Sequence, residues 1–375
     1  MTGRTVARIE GWATAAGTSA YRAGMGAVVG DHWMALGDLT VSSIGIGTYL
    51  GGEDDATDRA YAAAVSRALT LGINVVDSAV NYRCQRSERS VGAALRSAIA
   101  AGHVGRDAVV LATKGGFLPF DGRSPANPGA YLANTYVRSG LALPEEVAGG
   151  CHCIAPRYLA DQLERSRANL GVATIDVYYV HNPEMQLGAV SLPQFQERMR
   201  LAFEFLEGAV RAGTIRRYGV ATWQGFRQPP SAADHLSLAE LCALAAEVAG
   251  PDHHFRVLQL PYNLAMTEAF TADTQVLDGE MVPLFEAARR LGMYCMTSAS
   301  IHQGQLARGL PPMLGEVLPG LRSDAQRAVQ FARSTPGVGT ALVGMKGSAH
   351  VEDIGRLCGV APVAWTGFQR LFQAG

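Results

Sequence analysis

The chain has 375 residues, of which 48% are hydrophobic and 17% charged, with a formal net charge of −1. This balance describes one large globular domain or two small ones. A near-neutral chain without a run of lysine and arginine has no long-range attraction for phosphates, so we expect no nucleic-acid partner.

The first thirty residues are rich in alanine and glycine, and they lack the apolar core of about 7–15 residues that an export signal requires. No segment reaches the roughly 18 apolar residues of a membrane span. We therefore expect residues 1–30 to form a poorly ordered or loosely docked arm, followed by one domain over residues 31–375. The stretch His32 to Gly45 then predicts a short hairpin that turns at Gly37 and Asp38.

A repeated join of a helix, a glycine and a strand organises the rest of the chain, since glycine accepts the left-handed conformation that ends a helix. The seven predicted helices are Thr57–Leu71, Glu88–Ala101, Arg157–Leu170, Leu192–Ala212, Leu238–Ala249, Pro283–Leu291 and Asp324–Ser334, and the glycines that follow them are Gly72, Gly102, Gly171, Gly213, Gly250, Gly292 and Gly337. The eight predicted strands are Ile44–Tyr49, Ile73–Asp77, Ala108–Lys114, Ile175–His181, Ile215–Ala221, Phe255–Pro261, Met293–Ser298 and Thr340–Gly344. Eight strands that alternate with helices predict an α/β protein with a (β/α)8 TIM barrel.

One unit of this repeat is longer than the others. Successive glycines are 30, 69, 42, 37, 42 and 45 residues apart, so an insertion over residues 115–156 follows the third barrel strand. Loops of this length are usually functional lids or disordered insertions. The aromatic residues in this one, Phe117, Phe120, Tyr131 and Tyr136, favour a lid over the barrel mouth. The alternative is a loop that packs outside the barrel or against a second subunit.

Three neighbouring strands of the predicted barrel end in polar residues, at Asp77, Lys114 and His181, and Tyr82 follows the first of them in a loop. Taken singly, these residues have structural interpretations: a buried ion pair, a hydrogen-bonded core imidazole and a packed aromatic ring. The carboxyl ends of barrel strands meet at one mouth, however, and active sites form there. The four residues together therefore predict a shared catalytic site.

These residues resemble the catalytic tetrad of the aldo-keto reductase superfamily, whose signatures are similar to VVDSAVNY, VVLATK and IDVYYVH in this chain. The resemblance extends from about Leu39 to about Ile354. It implies the reduction of an aldehyde or ketone by NADPH, with NAD as the alternative cofactor. Tyr82 would be the general acid, with its pKa lowered by Lys114, which Asp77 keeps charged. His181 would hydrogen-bond the carbonyl oxygen of a small-molecule substrate.

The same resemblance implies a cofactor site on the other half of the mouth. Gln259 is similar to the glutamine that binds the nicotinamide carboxamide, and SASIHQGQL is similar to the loop around the pyrophosphate. The turn GMKGSAH resembles the phosphate-binding turn, with Lys346 at the 2′-phosphate. The implied cofactor residues are Thr222, Gln259, Ser298, Gln303, Gly304 and Lys346. The chain departs from the family at Thr297, which replaces a stacking tyrosine, at Asp353 and Ile354, and in GVATW.

The remaining signals are weaker. Cysteine usage indicates a reduced, cytoplasmic protein, and the trio Cys151, His152 and Cys153 has no evident fourth metal ligand, so we expect no metal site.

Two other functions stay open: a sugar or alcohol dehydrogenase that runs the same site in reverse, and a non-catalytic, nucleotide-sensing subunit. The substrate, the favoured direction and the oligomeric state are not determined by the sequence.

Overall fold

The strands of the chain form one closed barrel and two antiparallel hairpins in a computed structural model that describes residues 7–372. In chain order the strands are β1 (Trp33–Leu36), β2 (Leu39–Ser42), β3 (Ile44–Gly47), β4 (Val75–Asp77), β5 (Val110–Gly115), β6 (Ile175–His181), β7 (Ile215–Ala221), β8 (Phe255–Pro261), β9 (Asp273–Leu277), β10 (Glu280–Pro283), β11 (Tyr294–Ser298) and β12 (Val338–Gly344). The hairpins are β1 with β2 and β9 with β10, and the other eight strands close the barrel through parallel neighbours.

The helices lie between the barrel strands and around them. They are α1 (Ala15–Gly24), α2 (Asp55–Thr70), α3 (Arg86–Ala100), α4 (Pro128–Leu132), α5 (Pro156–Leu170), α6 (Leu192–Arg211), α7 (Leu238–Ala249), α8 (Glu268–Thr271), α9 (Leu284–Arg290), α10 (Met313–Val317), α11 (Asp324–Ser334), α12 (Ser348–Gly355) and α13 (Trp365–Phe368). None of the helices in residues 7–372 is long and apolar enough to cross a membrane.

The predicted (β/α)8 barrel is confirmed, with most boundaries within two residues. All seven glycines that follow the predicted helices have a positive φ, between 66° and 93°. The third barrel strand, β5, begins at Val110, two residues later than predicted, because residues 106–108 form a 3-10 turn. The hairpin of β9 and β10 was not predicted, although Asp278 and Gly279 between two alternating segments are a typical hairpin turn.

Two large clusters of buried apolar side chains stabilise the barrel. One fills the space between the helices and the outer faces of the strands and includes Phe203, Tyr218 and Phe255. The other fills the barrel interior and includes Val177 and Tyr179 of β6. The β1–β2 hairpin contributes Leu36, Leu39 and Val41 to this interior cluster, so it closes the amino-terminal end of the barrel.

The expectation of a poorly ordered arm is wrong for residues 7–30, and residues 1–6 lie outside the described part of the chain. Ile9 forms a parallel bridge with Val172, and helix α1 begins after Thr14, whose hydroxyl accepts from Gly17 N at 2.9 Å. Tyr21 is buried and donates to Leu69 O at 2.6 Å. A high alanine and glycine content permitted this docking, since small side chains let α1 approach its neighbours closely.

Candidate active site

A hydrogen-bonded charge network joins the carboxyl ends of β4, β5 and β8. Lys114 Nζ donates to Asp77 Oδ2 and to Ser78 O, each at 2.7 Å. Gln259 Nε2 donates to the other oxygen, Asp77 Oδ1, at 2.8 Å. The Lys114 side chain is fully buried, and its charge is paired, which removes the large penalty of an isolated buried ion.

Tyr82 and His181 lie in front of this network, at the mouth of the barrel. Lys114 Nζ is 4.8 Å from the centroid of the Tyr82 ring, and the Tyr82 and His181 rings are 6.0 Å apart in an edge-on arrangement. Both rings are partly exposed, whereas the Asp77–Lys114 pair is buried behind them. The structure therefore brings the four predicted residues together, with the proton-carrying groups facing outward.

The backbone that presents Tyr82 is strained. Arg83, Cys84 and Gln85 are successive non-glycine residues with φ values of 50°, 54° and 68°. Such conformations cost about 1 kcal/mol or more each and persist only where the surroundings impose them. The buried Arg83 side chain provides such support, since it donates to Gly52 O at 2.8 Å and to Asp58 Oδ1 at 2.6 Å. This turn is not predictable from the residue types, because glycine would be the usual residue there.

The electrostatics of the site combine burial with the predicted effect of Lys114. Burial raises the pKa of Tyr82, and the Lys114 ammonium lowers it, as predicted, but offsets the effect of burial only in part. Burial also opposes the charge on Lys114, but Asp77 and Tyr82 outweigh it and raise the pKa of the ammonium. Burial, Lys114 and His152 together hold the pKa of His181 well below its usual range. At neutral pH the site thus holds a protonated Tyr82, a charged Lys114 and a neutral His181.

His152 reaches this site from the insertion. Its Nε2 is 2.6 Å from His181 O and its Nδ1 is 2.7 Å from Gln186 Nε2. Since a carbonyl oxygen only accepts, Nε2 carries the proton and Nδ1 accepts from Gln186, whose Oε1 is held by Arg198. Phe117 packs against both imidazoles, with ring centroids 5.2 Å from His152 and 5.0 Å from His181.

The sequence indicates His152 only as a candidate metal ligand and does not reveal that it lies beside the tetrad. No signal in the sequence links residues 152 and 181, which are brought together by the fold of the insertion. Among residues 7–372, no group of three or more His, Cys, Asp or Glu side chains is placed to hold a metal ion.

The predicted cofactor residues lie on the other half of the mouth, at the carboxyl ends of β7, β8, β11 and β12. Thr222 follows β7 and Ser298 ends β11. Gln303 and Gly304 have φ values of 53° and 92° in the turn after β11, and Lys346 is exposed after β12. Gln259 differs from the others, because its amide nitrogen is already bound to Asp77.

The positions that depart from the family pattern differ in their environments. The hydroxyls of Thr222 and Thr297 are buried, and neither has a hydrogen-bond partner among the residues that the structure describes. Asp353, in contrast, accepts from Ser323 Oγ at 2.6 Å and from Gln326 Nε2 at 3.0 Å. The Asp353 carboxylate is therefore engaged in joining α11 to α12.

The insertion between β5 and α5 folds around a small core of its own. It contains α4, a π-helical turn and a 3-10 turn. Its buried side chains pack with Tyr158 of α5 in a third apolar cluster, which consists of Leu118, Tyr136, Ala142, Cys153 and Tyr158. Hydrogen bonds from Gly122 N to Cys84 O at 2.9 Å and from Gln85 Nε2 to Phe120 O at 3.0 Å tie it to the loop after Tyr82. The aromatic side chains of the insertion thus have two locations, since some pack in or against this core and Phe117 lies at the barrel mouth.

Comparisons with known proteins agree with this architecture. A model of the aldo/keto reductase family matches residues 43–307. A search of curated protein sequences found no match. The structure is similar to an aldo/keto reductase from Klebsiella pneumoniae solved with NADP and acetate, with 20% identity, a TM-score of 0.61, and coverage of 92% of this chain and 95% of that chain.

Two further solved structures are similar. For an aldo-keto reductase from Klebsiella pneumoniae in complex with NADPH, the identity is 19% and the TM-score 0.59, over 90% of this chain and 92% of that one. For the holo form of an aldo-keto reductase from Bacillus halodurans, the identity is 19% and the TM-score 0.60, over 91% and 94%. At these identities the structural likeness shows a shared fold.

Proposed function

The chain belongs to the aldo/keto reductase family, and we propose that it reduces an aldehyde or ketone with NADPH, using Tyr82 as the general acid. One observation carries the proposal. A buried, paired ammonium at Lys114 lies 4.8 Å from the ring of a partly exposed tyrosine, beside a neutral histidine. No structural role requires all three groups at one barrel mouth.

Each residue would have a separate task. Tyr82 keeps its proton at neutral pH because burial raises its pKa, so it can donate that proton to a carbonyl oxygen. Lys114 then stabilises the negative charge that develops on the Tyr82 oxygen. Asp77 fixes the ammonium through a 2.7 Å hydrogen bond. A neutral His181 can hydrogen-bond the same substrate oxygen and orient it toward Tyr82 without competing as an acid.

The other half of the mouth fits a nicotinamide dinucleotide. The buried Thr222 hydroxyl has no partner within residues 7–372 and is free to bind a ligand. Gln303 and Gly304 form a left-handed turn after β11, and the resemblance implies that this turn contacts the pyrophosphate. Lys346 supplies a positive charge for the 2′-phosphate. We therefore assign the cofactor to Thr222, Gln259, Ser298, Gln303, Gly304 and Lys346. When bound, NADPH supplies the hydride.

The inserted segment is proposed to select the substrate, because Phe117 packs on His181 beside the reacting groups. Shortening the whole segment would disrupt its own core, so a point variant is the sharper test. Phe117→Ala should raise KM for a bulky carbonyl several-fold and leave a small aldehyde nearly unaffected. Phe120→Ala is the matched control, since Phe120 pairs with Tyr131 at 5.5 Å. Equal changes for both substrates in the Phe117 variant would assign the segment to stability.

The activity is tested by incubating the protein with NADPH or NADH and a panel of aldehydes and ketones while the nicotinamide absorbance is followed. Turnover with NADPH that is lost in Tyr82→Phe supports the proposal. Faster reaction of NAD or NADP with alcohols or sugars would favour the dehydrogenase. Tight nucleotide binding without turnover of any compound would favour the nucleotide-sensing role.

A further inference from the structure

The structure contains a cavity at the end of the barrel opposite to the tetrad. Its volume is about 540 Å³, which is within the range of small-molecule sites. The walls come from the turn of the β1–β2 hairpin and from the amino-terminal ends of β7, β8 and β11. It is therefore separate from the strand ends that carry the proposed reductase.

Three arginines, Arg216, Arg217 and Arg256, contribute to the lining of this one cavity. Arginine remains charged at all relevant pH values, so their proximity is unfavourable unless anions neutralise them. In the described range, no carboxylate lies within 4.0 Å of the guanidinium of Arg216 or Arg256. Arg217 has only Asp38, at 3.7 Å on a largely exposed side chain.

The contacts that these arginines do make are with neutral groups. Arg256 donates to Pro251 O at 3.1 Å and Phe255 O at 3.2 Å, and Arg217 donates to Leu36 O at 3.0 Å. The Arg216 guanidinium lies over the Trp12 ring, 4.5 Å from its centroid. These contacts hold the groups in place without supplying a negative charge. Asp252 lines the cavity and Asp38 lies beside Arg217, so two carboxylates stand against three guanidinium groups.

We propose that this cavity binds a small multivalent oxyanion that carries phosphate or carboxylate groups. Planar guanidinium groups bind both kinds of oxyanion through paired N–H donors, and several of them in one cavity favour a ligand with more than one negative charge. The bound anion would join the β1–β2 hairpin to the strands above it.

The test is isothermal titration of the full chain with inorganic pyrophosphate and, separately, with citrate, each with and without NADPH. We expect saturable binding of one anion per chain, which weakens as salt is added. A stronger response to pyrophosphate indicates a phosphorylated ligand, and a stronger response to citrate a polycarboxylate. Hydrogen exchange at residues 35–37 should slow when the anion binds.

Arg216→Met and Arg256→Met should each weaken the binding about tenfold or more. Arg216 is the safer variant for folding, because it makes no hydrogen bond to the backbone in the described structure. Arg200→Met, on an exposed helix face, is the matched charge control, and Lys346→Met tests the opposite end of the barrel. Absent binding, equal weakening in Arg200→Met, or loss only in Lys346→Met would overturn the proposal.

Discussion

The two halves of the barrel mouth differ in how their polar groups are satisfied. On the side of β4, β5 and β6, Asp77 and Lys114 bind each other, and both carboxylate oxygens are occupied. On the side of β7 and β11, the hydroxyls of Thr222 and Thr297 are buried without partners among residues 7–372. Buried polar groups are normally hydrogen-bonded. The first half is therefore complete in its ion pair, although His181 Nδ1 on that side is also buried without a described partner, while the second half holds hydroxyls that are suited to a ligand.

The largest effect is expected in the complete half. Tyr82→Phe removes the proposed proton donor and should lower turnover about 10²–10⁴-fold, with cofactor affinity and the melting temperature unchanged. Tyr49→Phe is the matched control, since its ring is 4.9 Å from that of Tyr82 but more than half of the side chain is exposed. Wild-type turnover in Tyr82→Phe would remove Tyr82 from the mechanism.

Acid should also act on the complete half, through His152. Burial lowers the pKa of His152 from 6.5 to about 4, so folding favours the neutral form. The contribution of the neutral His152 to the stability of the folded protein is fully present above pH 6.5 and is lost as the pH falls through about 4. At about 1.4 kcal/mol per pH unit, this interval corresponds to about 3 kcal/mol of unfolding free energy.

The measurement is urea unfolding between pH 4 and pH 7 for the wild type and His152→Gln. The variant should lose less stability on acidification, because glutamine can donate to His181 O and does not titrate. Parallel pH profiles for the two proteins would contradict the assignment of a buried, neutral imidazole.

In the incomplete half, Lys346 should determine the choice of cofactor. Lys346→Ala should weaken NADPH binding by about 1.5–3 kcal/mol and leave NADH nearly unaffected, because only NADPH carries the 2′-phosphate. Lys346→Arg should retain most of the preference. Dissociation constants for both cofactors, measured by fluorescence titration, test this, and an unchanged ratio in the alanine variant would make Lys346 a surface residue.

The smallest effect distinguishes the two halves most directly. Thr222→Val removes a buried hydroxyl without a described partner, so it should leave the stability of the free protein unchanged or higher and weaken cofactor binding by about 0.5–1.5 kcal/mol. Thr113→Val is the matched control, because its hydroxyl donates to Glu88 Oε1 at 2.7 Å. Thermal unfolding of both variants should show a loss only for Thr113→Val. A comparable loss for Thr222→Val would mean that its hydroxyl is satisfied inside the protein.

The sequence by itself determined the barrel and the meeting of the four tetrad residues. Both depend on local information, since a glycine ends each helix, an apolar run forms each strand, and parallel strand ends converge on one mouth. It did not determine the ordered segment over residues 7–30, the strained turn after Tyr82 or the contact between His152 and His181. These features depend on contacts between residues far apart in the chain, such as Arg83 with Gly52 and His152 with residue 181.

The direction in which the pKa of Tyr82 shifts also depends on the tertiary structure. The residue types indicated the charge of Lys114, which lowers that pKa, but not the extent of burial, which raises it more. Burial is a property of the packed molecule, so only the tertiary structure sets the balance between desolvation and charge. The same reason explains the cavity of arginines at the amino-terminal end of the barrel, whose walls come from separate strands and from the turn of the β1–β2 hairpin.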